Sequence, residues 1–343
     1  MKTHPLFSFN GLSIEWMMQL TEFQLPEWDR LSLRFIVEWA SEQETIEVQT
    51  SGSTGEPTVW RARKSAMEAS AQLTARYFNC YSGTNALLAL PTSFIAGKMM
   101  LARAMTLGWR VSSVMPSGNP LAGIKSTFDF AAFTPMQMAA ATDEQLDMLA
   151  EFGTVIIGGA PVSKTLRERL SMHCSNLYET YGMAETLSHI AVRKISKETI
   201  PFQTLEGIKI SVDSESRLQI LAPHIQPQTL QTQDVVTLES PTSFLFLGRY
   251  DRMINSGGIK LFAEAIEKKL EGVLQVPYLV GSLPDELLGQ RLVLYIESDS
   301  NFDQAVLKEE LRNVLERYEM PKEIISVPVF ERTTSGKIKQ IRN

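Results

Sequence analysis

Cysteine is scarce in this chain: two among 343 residues, Cys80 and Cys174, and they form no Cys-x-x-Cys pair. That argues against a disulfide framework or a cysteine metal knuckle, and makes a reducing compartment the expected one. A catalytic thiol has no motif behind it. Long apolar runs are also missing. The best stretch, Phe94 to Trp109, is broken by Lys98 and Arg103, so no integral membrane segment is expected. The first twenty residues carry Lys2 and apolar pieces interrupted by Asn10 and Glu15, which is not the continuous apolar core of a signal peptide. A cytoplasmic location is therefore expected. Basic charge is in deficit, with 33 Lys and Arg against 39 Asp and Glu and a net charge of -6. Nucleic acid is not expected as a partner, because a phosphate backbone selects a basic surface, whereas one nucleotide needs only a local cationic pocket. No Gly-x-x-x-x-Gly-Lys stands anywhere, which excludes a Walker loop. There is no internal repeat or low-complexity tract, and nothing sets an oligomeric state.

What is present is an ordinary globular composition, 44% hydrophobic and 21% charged, long enough for a large core and two domains. Residues 1–49 read as a short helical preamble followed by a strand at Ile46-Glu47-Val48-Gln49. From residue 50 the pattern alternates. Ser65 to Tyr77 and Ile95 to Leu107 read as helices. Ala86 to Leu90, Phe130 to Phe133 and Thr154 to Ile157 read as short buried strands, the last running into Gly158-Gly159. Such alternation predicts a mostly parallel sheet covered on both faces. After about residue 200, Ile208 to Val212 and Arg217 to Leu221 predict a small antiparallel section. A boundary is expected near Gly248-Arg249-Tyr250-Asp251. Beyond it come a helix (262–270), a strand (292–296) and a last helix with Leu307, Leu311, Val314, Leu315 and Tyr318 on one face.

The chemistry starts at Thr50-Ser51-Gly52-Ser53-Thr54-Gly55-Glu56-Pro57, which follows a strand. Two glycines let a backbone approach an anion, four hydroxyl residues add donors, and successive N–H groups can form an anion nest. A loose Ser/Gly surface loop has the same composition. Glu185, in Thr180-Tyr181-Gly182-Met183-Ala184-Glu185, reads either as a helix-start carboxylate or as a hard oxygen ligand for Mg²⁺. Lys337, in a Ser-Gly-Lys turn, is either a solvated terminal cation or one placed over an anionic reacting centre.

The order of segments supplies a resemblance. The loop at 50–57, Gly158-Gly159-Ala160-Pro161, Thr180 to Glu185, Gly248-Arg249-Tyr250-Asp251 with Gly257-Gly258, and Arg332-Thr333-Thr334-Ser335-Gly336-Lys337-Ile338 resemble, in order, five signature segments of the superfamily of acyl- and aryl-CoA synthetases, adenylation domains and luciferases. The resemblance implies that Ser51, Gly52, Ser53, Thr54 and Gly55 bind ATP phosphates. Gly159, Ala160, Pro161, Thr180, Tyr181 and Gly182 would lie beside the nucleotide, and Glu185 would hold Mg²⁺. Asp234 would accept from the ribose hydroxyls and Arg249 would contact the same nucleotide. It also implies Asp251 as the hinge, Gly257 and Gly258 on the coenzyme A face, and Lys337 as the catalytic cation. The chain departs from the pattern in places. Gln233 replaces the glycine of Thr-Gly-Asp, Phe94 replaces a histidine, and Thr58 replaces the lysine after the loop's proline. Arg61, Arg63 or Lys64 could compensate for that lysine. Only 49 residues precede the loop, where the superfamily has over a hundred, so a shortened first subdomain is expected.

Within the superfamily, Leu90-Pro91-Thr92-Ser93-Phe94-Ile95-Ala96-Gly97 continuing to Leu101-Ala102-Arg103 is similar to the o-succinylbenzoate-CoA ligases of menaquinone biosynthesis. There an arginine at the position of Arg103 reads the substrate's second carboxylate. A guanidinium among Met99, Met100, Ala102, Ala104 and Met105 suits that task, because its fork can hold the idle carboxylate and leave the other to react. A helix-surface arginine is the plain alternative, and Lys98 is the rival cation. Ser188 and His189 are candidate pocket wall, although His189 also fits an ordinary part-buried histidine.

The expected protein is thus an α/β enzyme. It would have a large N-terminal ATP- and acid-binding domain (1–248), with mostly parallel sheets and a small β section, and a small mobile α+β cap (249–343). It would join a small-molecule carboxylic acid to coenzyme A through an acyl-adenylate, using ATP and Mg²⁺. The alternatives are an adenylating enzyme for another aryl or acyl acid or for a carrier-protein thiol, and a catalytically degenerate nucleotide-binding protein.

Overall fold

The computed structural model describes residues 3–49, 59–298, 304–332, 338–339 and 341. Thr50 to Thr58, hence the whole phosphate-loop candidate, and Lys337 lie outside the described residues. The chain divides into two compact units, Met1–Val162 with Leu166–Lys209 and Leu221–Thr229, and Ser163–Thr165 with Ile210–Ile220 and Leu230–Asn343.

The first unit opens with β1 (Ser8–Phe9), β2 (Leu12–Ser13), α1 (Ile14–Met17) and α2 (Glu27–Ala40), then β3 (Thr45–Gln49), β4 (Val59–Arg63) and α3 (Lys64–Phe78). It continues through β5 (Asn85–Leu88), α4 (Ile95–Leu107), β6 (Arg110–Ser113), β7 (Phe130–Phe133), α5 (Pro135–Ala140) and α6 (Asp143–Leu149). Then come β8 (Thr154–Ile157), α7 (Lys164–His173), β9 (Leu177–Gly182), β10 (His189–Lys194) and β11 (Phe202–Thr204). The strand order is β11-β10-β9-β8-β7-β5-β6-β1-β2. From β9 to β1 neighbours run parallel, and β10 is antiparallel to β9.

The parallel strands are buried on both faces, and their alternation sorts side chains into two cores. Ala86, Leu88, Phe130, Ala132 and Ile156 join Leu33, Ile36, Trp39, Met67 and Met99 to Met105 from α2, α3 and α4. Leu87, Ala131, Phe133, Val155 and Ile157 join Met138, Leu146, Leu149 and Leu170 from α5, α6 and α7. The fold class expected from the alternating pattern is thereby borne out.

Two local expectations need correction. The opening residues are not all helical: β1 pairs parallel with β6 and buries Phe9 completely, so they extend the sheet before α1 and α2 form. The segment after residue 58, which by composition is only more polar chain before the helix, is a strand. β4 pairs antiparallel with β3, Gln49 opposite Val59, and alternates Ala62 inward with Arg61 and Arg63 outward. Arginines on the solvent face disguise such a strand.

Lys64 also differs from its expected place. It is buried, and its Nζ donates to the carbonyls of Glu38 (2.8 Å), Trp39 (2.9 Å) and Ser41 (2.9 Å). It therefore closes the carbonyl end of α2, where a cation also meets the favourable end of the helix dipole. Arg63 donates to the Ile225 carbonyl and Arg61 to Thr45. Lys64 is thus committed to structure. Lys64→Met is expected to lower the first urea unfolding midpoint by an amount equivalent to about 2 kcal/mol, with the KM for ATP unchanged. A raised KM with unaltered unfolding would contradict the structural role.

The second unit carries β12 (Lys209–Val212), β13 (Arg217–Leu221), β14 (Leu230–Ser240) and β15 (Ser243–Arg249), adjacent in that order. β13, β14 and β15 pair antiparallel, as the change of rhythm predicts. It continues with β16 (Met253–Ser256), β17 (Ile259–Phe262), α8 (Ala263–Leu270), β18 (Tyr278–Asp285), β19 (Gly289–Glu297), α9 (Gln304–Arg312) and β20 (Glu323–Val327). β17-β16-β19-β18 form a sheet, with β20 parallel to β19. Its alternation again makes two faces. Leu292, Leu294 and Ile296 pack with α8 and α9, whereas Val293 and Tyr295 pack with Leu279 and Phe330. The expected last apolar stripe is shortened. α9 stops at Arg312, its exit tightens through Asn313 N–H to Glu310 O and Val314 N–H to Leu311 O, and Val314 and Tyr318 turn outward while Leu307, Leu311 and Leu315 stay buried.

Among the described residues no helix is long and apolar enough to cross a membrane. Both cysteines are buried, and burial pushes each thiol up to about 11, which makes them poor nucleophiles.

Candidate active site

The first unit gathers its candidate residues at the carboxyl ends of β8 and β9, where ligands of open α/β sheets bind. After β8 the chain turns through Gly159, Ala160 and Pro161. The next residue is held on both sides of its peptide group. Val162 N–H donates to Glu179 Oε1 (3.1 Å) and Val162 O accepts from Arg167 Nη2 (3.0 Å). Glu179 also accepts from Arg193 Nη2 at 2.7 Å, and all three side chains are at most 9% exposed. Within β9, Thr180 donates to Ile157 O (3.2 Å) and the Tyr181 ring packs against Phe202. A buried carboxylate between two guanidiniums thus anchors the end of the Gly158-Gly159-Ala160-Pro161 segment. None of these three belongs to a segment that the sequence marks as functional.

Past β9 the chain makes a sharp return. Gly182 stands opposite His189, and a Cβ on it would lie 2.4 Å from Ser188 O and 2.7 Å from His189 Cα, so only glycine fits. Glu185 sits exposed in the short 3-10 turn Ala184–Thr186. Among the described residues no three His, Cys, Asp or Glu side chains cluster as a metal cage. A lone exposed carboxylate nonetheless suits Mg²⁺, which keeps its waters and substrate phosphates and takes few protein ligands. Leu187 follows with φ 62° and ψ -41°, and Ser188 N–H reaches Thr186 O at 2.6 Å. This is a γ-turn on a non-glycine residue, a strained conformation of order 1–3 kcal/mol. The buried Leu187 side chain, packed in the core with α4, holds it there.

That turn delivers Ser188 and His189 to Arg103. α4 is buried from Met99 to Met105, and Arg103 is 2% exposed within it. Arg103 Nη2 donates to Ser188 Oγ (2.5 Å) and faces His189 Nδ1 (3.5 Å), and Nε donates to Thr74 Oγ1 (3.3 Å). Among the described residues Nη1 meets only the weak acceptor Met100 Sδ at 3.8 Å. No carboxylate pairs with this guanidinium among the described residues. Burial pushes its pKa down to about 10, which leaves it charged at neutral pH. Such a depression costs the folded chain on the order of 3 kcal/mol at any pH below that value. Burial, and secondly the Arg103 charge, hold the His189 pKa well below its usual value, so the imidazole is neutral. The structure therefore brings Arg103, Ser188 and His189 together. It does not bring Lys98 to them: its Nζ donates to Glu47 O of β3 at 2.5 Å.

In the second unit, Asp234 and Arg249 are cross-strand partners on β14 and β15. Arg249 forks onto Asp251, Nε to Oδ1 at 2.9 Å and Nη2 to Oδ2 at 2.7 Å, while Nη1 lies 3.5 Å from Asp234 Oδ1. Asp234 N–H is taken by Thr232 Oγ1 (3.0 Å), which organises the backbone where Gln233 stands in place of glycine. Gly257 and Gly258 form the two-residue turn between β16 and β17, at φ 62° and 86°, the primed geometry that favours glycine at both positions.

Comparison with known proteins gives the family. The family model for AMP-binding enzymes matches residues 34–217. An acyl-CoA synthetase (AMP-forming)/AMP-acid ligase II-like protein from Dyadobacter fermentans is 32% identical, with 96% of this chain and 97% of that chain covered and a TM-score of 0.63. A probable 2-succinylbenzoate-CoA ligase of Mycobacterium tuberculosis is 27% identical over 317 residues, 85% of this chain and 81% of the relative. The o-succinylbenzoate CoA synthetase of Bacillus subtilis, solved with its acyl-adenylate intermediate, is 18% identical. It shares the fold at a TM-score of 0.76, over 97% of this chain and 82% of that one. The chain belongs to the AMP-binding family of AMP-forming, acyl-adenylating acid-thiol ligases.

Proposed function

We propose that this enzyme activates o-succinylbenzoate, joining it to coenzyme A with conversion of ATP to AMP and pyrophosphate. The observation that carries this reading is Arg103: a buried, charged guanidinium with an underused Nη1 edge and no counter-carboxylate among the described residues. A protein tolerates a buried unpaired cation at a site that an anionic ligand completes. o-Succinylbenzoate has two carboxylates, and one must be held while the other reacts. Arg103, with Ser188 and His189 beside it, binds the idle benzoate carboxylate and leaves the succinyl carboxylate free to attack.

The remaining roles follow from the family pattern. Ser51 to Gly55 cradle the ATP phosphates. Gly159, Ala160, Pro161, Thr180, Tyr181 and Gly182 flank the nucleotide, and Asp234 and Arg249 hold its ribose. Glu185 holds Mg²⁺, which when bound neutralises phosphate charge. The succinyl carboxylate oxygen forms a bond to the α-phosphorus and the bond to pyrophosphate breaks. Lys337 offsets the approach of one anion to another. In the second half the coenzyme A thiolate attacks the acyl carbonyl and AMP departs, with Asp251 as hinge and Gly257-Gly258 on the coenzyme A face.

The test is pyrophosphate release from ATP and Mg²⁺ across a panel of mono- and dicarboxylic acids, with coenzyme A dependence followed separately. o-Succinylbenzoate should give the highest kcat/KM. A clear preference for a monocarboxylate would move the reading to another acid, and no release with any acid would make the chain a nucleotide-binding protein without turnover.

A further inference from the structure

Thr74, on α3, belongs to none of the signature segments, yet it is fully buried and joins Arg103 and His189, the two groups proposed above to face the acid. A threonine hydroxyl has one proton and two lone pairs. Here all three are engaged. The proton goes to Ser70 O at 3.2 Å. One lone pair accepts from Arg103 Nε at 3.3 Å, and the other faces His189 Nε2 at 3.3 Å. Since the Thr74 proton is committed to Ser70, the hydrogen shared with His189 is the imidazole's own. That fixes the Nε2–H tautomer. Nδ1 then keeps its lone pair, directed at Arg103 Nη2 (3.5 Å) and Ser188 Oγ (3.4 Å).

We propose that Thr74 is a positioning residue for acid selection: its hydroxyl locks Arg103 and His189 into the single arrangement that leaves the Nη1 edge of the guanidinium to a substrate carboxylate. The inference rests on the assignment of Arg103 as reader of the second carboxylate. Its chemistry is simple. Without the hydroxyl, Arg103 Nε and His189 Nε2 both lose their acceptor in a buried place. The guanidinium is then free to rotate about its stem, and the histidine is free to adopt the Nδ1–H tautomer, which withdraws the lone pair that now faces Nη2.

The experiment compares o-succinylbenzoate with 4-oxo-4-phenylbutanoate, the same acid without the ring carboxylate, in the wild type and in Thr74→Val and Thr74→Ser. Thr74→Val should reduce the kcat/KM ratio between the two acids by about 10-fold. The change should come through KM for o-succinylbenzoate, with kcat on the keto acid and KM for ATP retained. Thr74→Ser, which keeps the hydroxyl, should restore the ratio. If valine prevents folding, Thr74→Ala reads the same ratio with a smaller side chain. An unchanged ratio, or equal losses on both acids, overturns the positioning role and leaves Thr74 as core packing. A wild type that does not distinguish the two acids overturns the Arg103 assignment itself, and the inference falls with it.

Discussion

Arg103→Met is expected to raise KM for o-succinylbenzoate about 100-fold, a loss near 3 kcal/mol typical of removing one partner from a buried charge-assisted pair. KM for ATP should stay within a few-fold, because none of the residues bonded to Arg103 belongs to the nucleotide segments. The same substitution should not weaken the ligand-free protein. A buried cation without a carboxylate partner is a burden on the folded state, and a thioether of similar length removes the desolvation while filling the space. Urea unfolding should therefore show stability unchanged or raised by about 1 kcal/mol. Loss of substrate affinity joined to equal or greater stability is the signature of a binding residue. Unchanged acid kinetics would remove Arg103 from the site, and a large loss of stability would make it structural.

Lys337→Ala should separate the two halves of the reaction. Formation of the acyl-adenylate, followed as single-turnover pyrophosphate release, should fall by about 10²- to 10³-fold, the usual cost of deleting one preorganised charge at a reacting centre. Thioester formation from preformed acyl-adenylate and coenzyme A should stay within a few-fold of wild type, because AMP leaves without a second anion having to approach phosphorus. Equal loss in both halves would contradict the division of roles.

Much of the fold is legible where apolar composition and element length agree. Ile95 to Leu107 is read from the sequence with the bounds the helix has, since Phe94 precedes it and Gly108, at φ 74°, ends it. The buried strands Phe130–Phe133 and Thr154–Ile157 are equally plain, because a parallel strand covered on both faces is apolar throughout. β4 is hidden by Arg61 and Arg63, which belong to its solvent face. β1 is hidden by its brevity, its assignment depending on pairing with β6, more than a hundred positions later. The site divides in the same way. Arg103 is conspicuous as a charge in an apolar helix, and Ser188 and His189 follow a recognisable turn. Thr74 carries no local mark: it lies 29 residues before Arg103 and 115 before His189, and only the packing of α3 against α4 joins them. Lys64 looks like a cation available to phosphate until the carbonyl end of α2 closes over it.

The γ-turn at Leu187 acts as a ruler. On the proposed reading, Glu185 marks the end of the acid that reacts and Ser188 with His189 the end that is held. Between them stands one strained peptide joint, pinned by a buried leucine and backed by the glycine at 182. The placement of Ser188 and His189 relative to Glu185 is then set by backbone, while the grip on the held carboxylate is set by the Arg103 side chain. Side-chain substitutions around Arg103 can change how tightly an acid is gripped. A residue gained or lost between Glu185 and Ser188 would instead carry Ser188 and His189 away from Arg103.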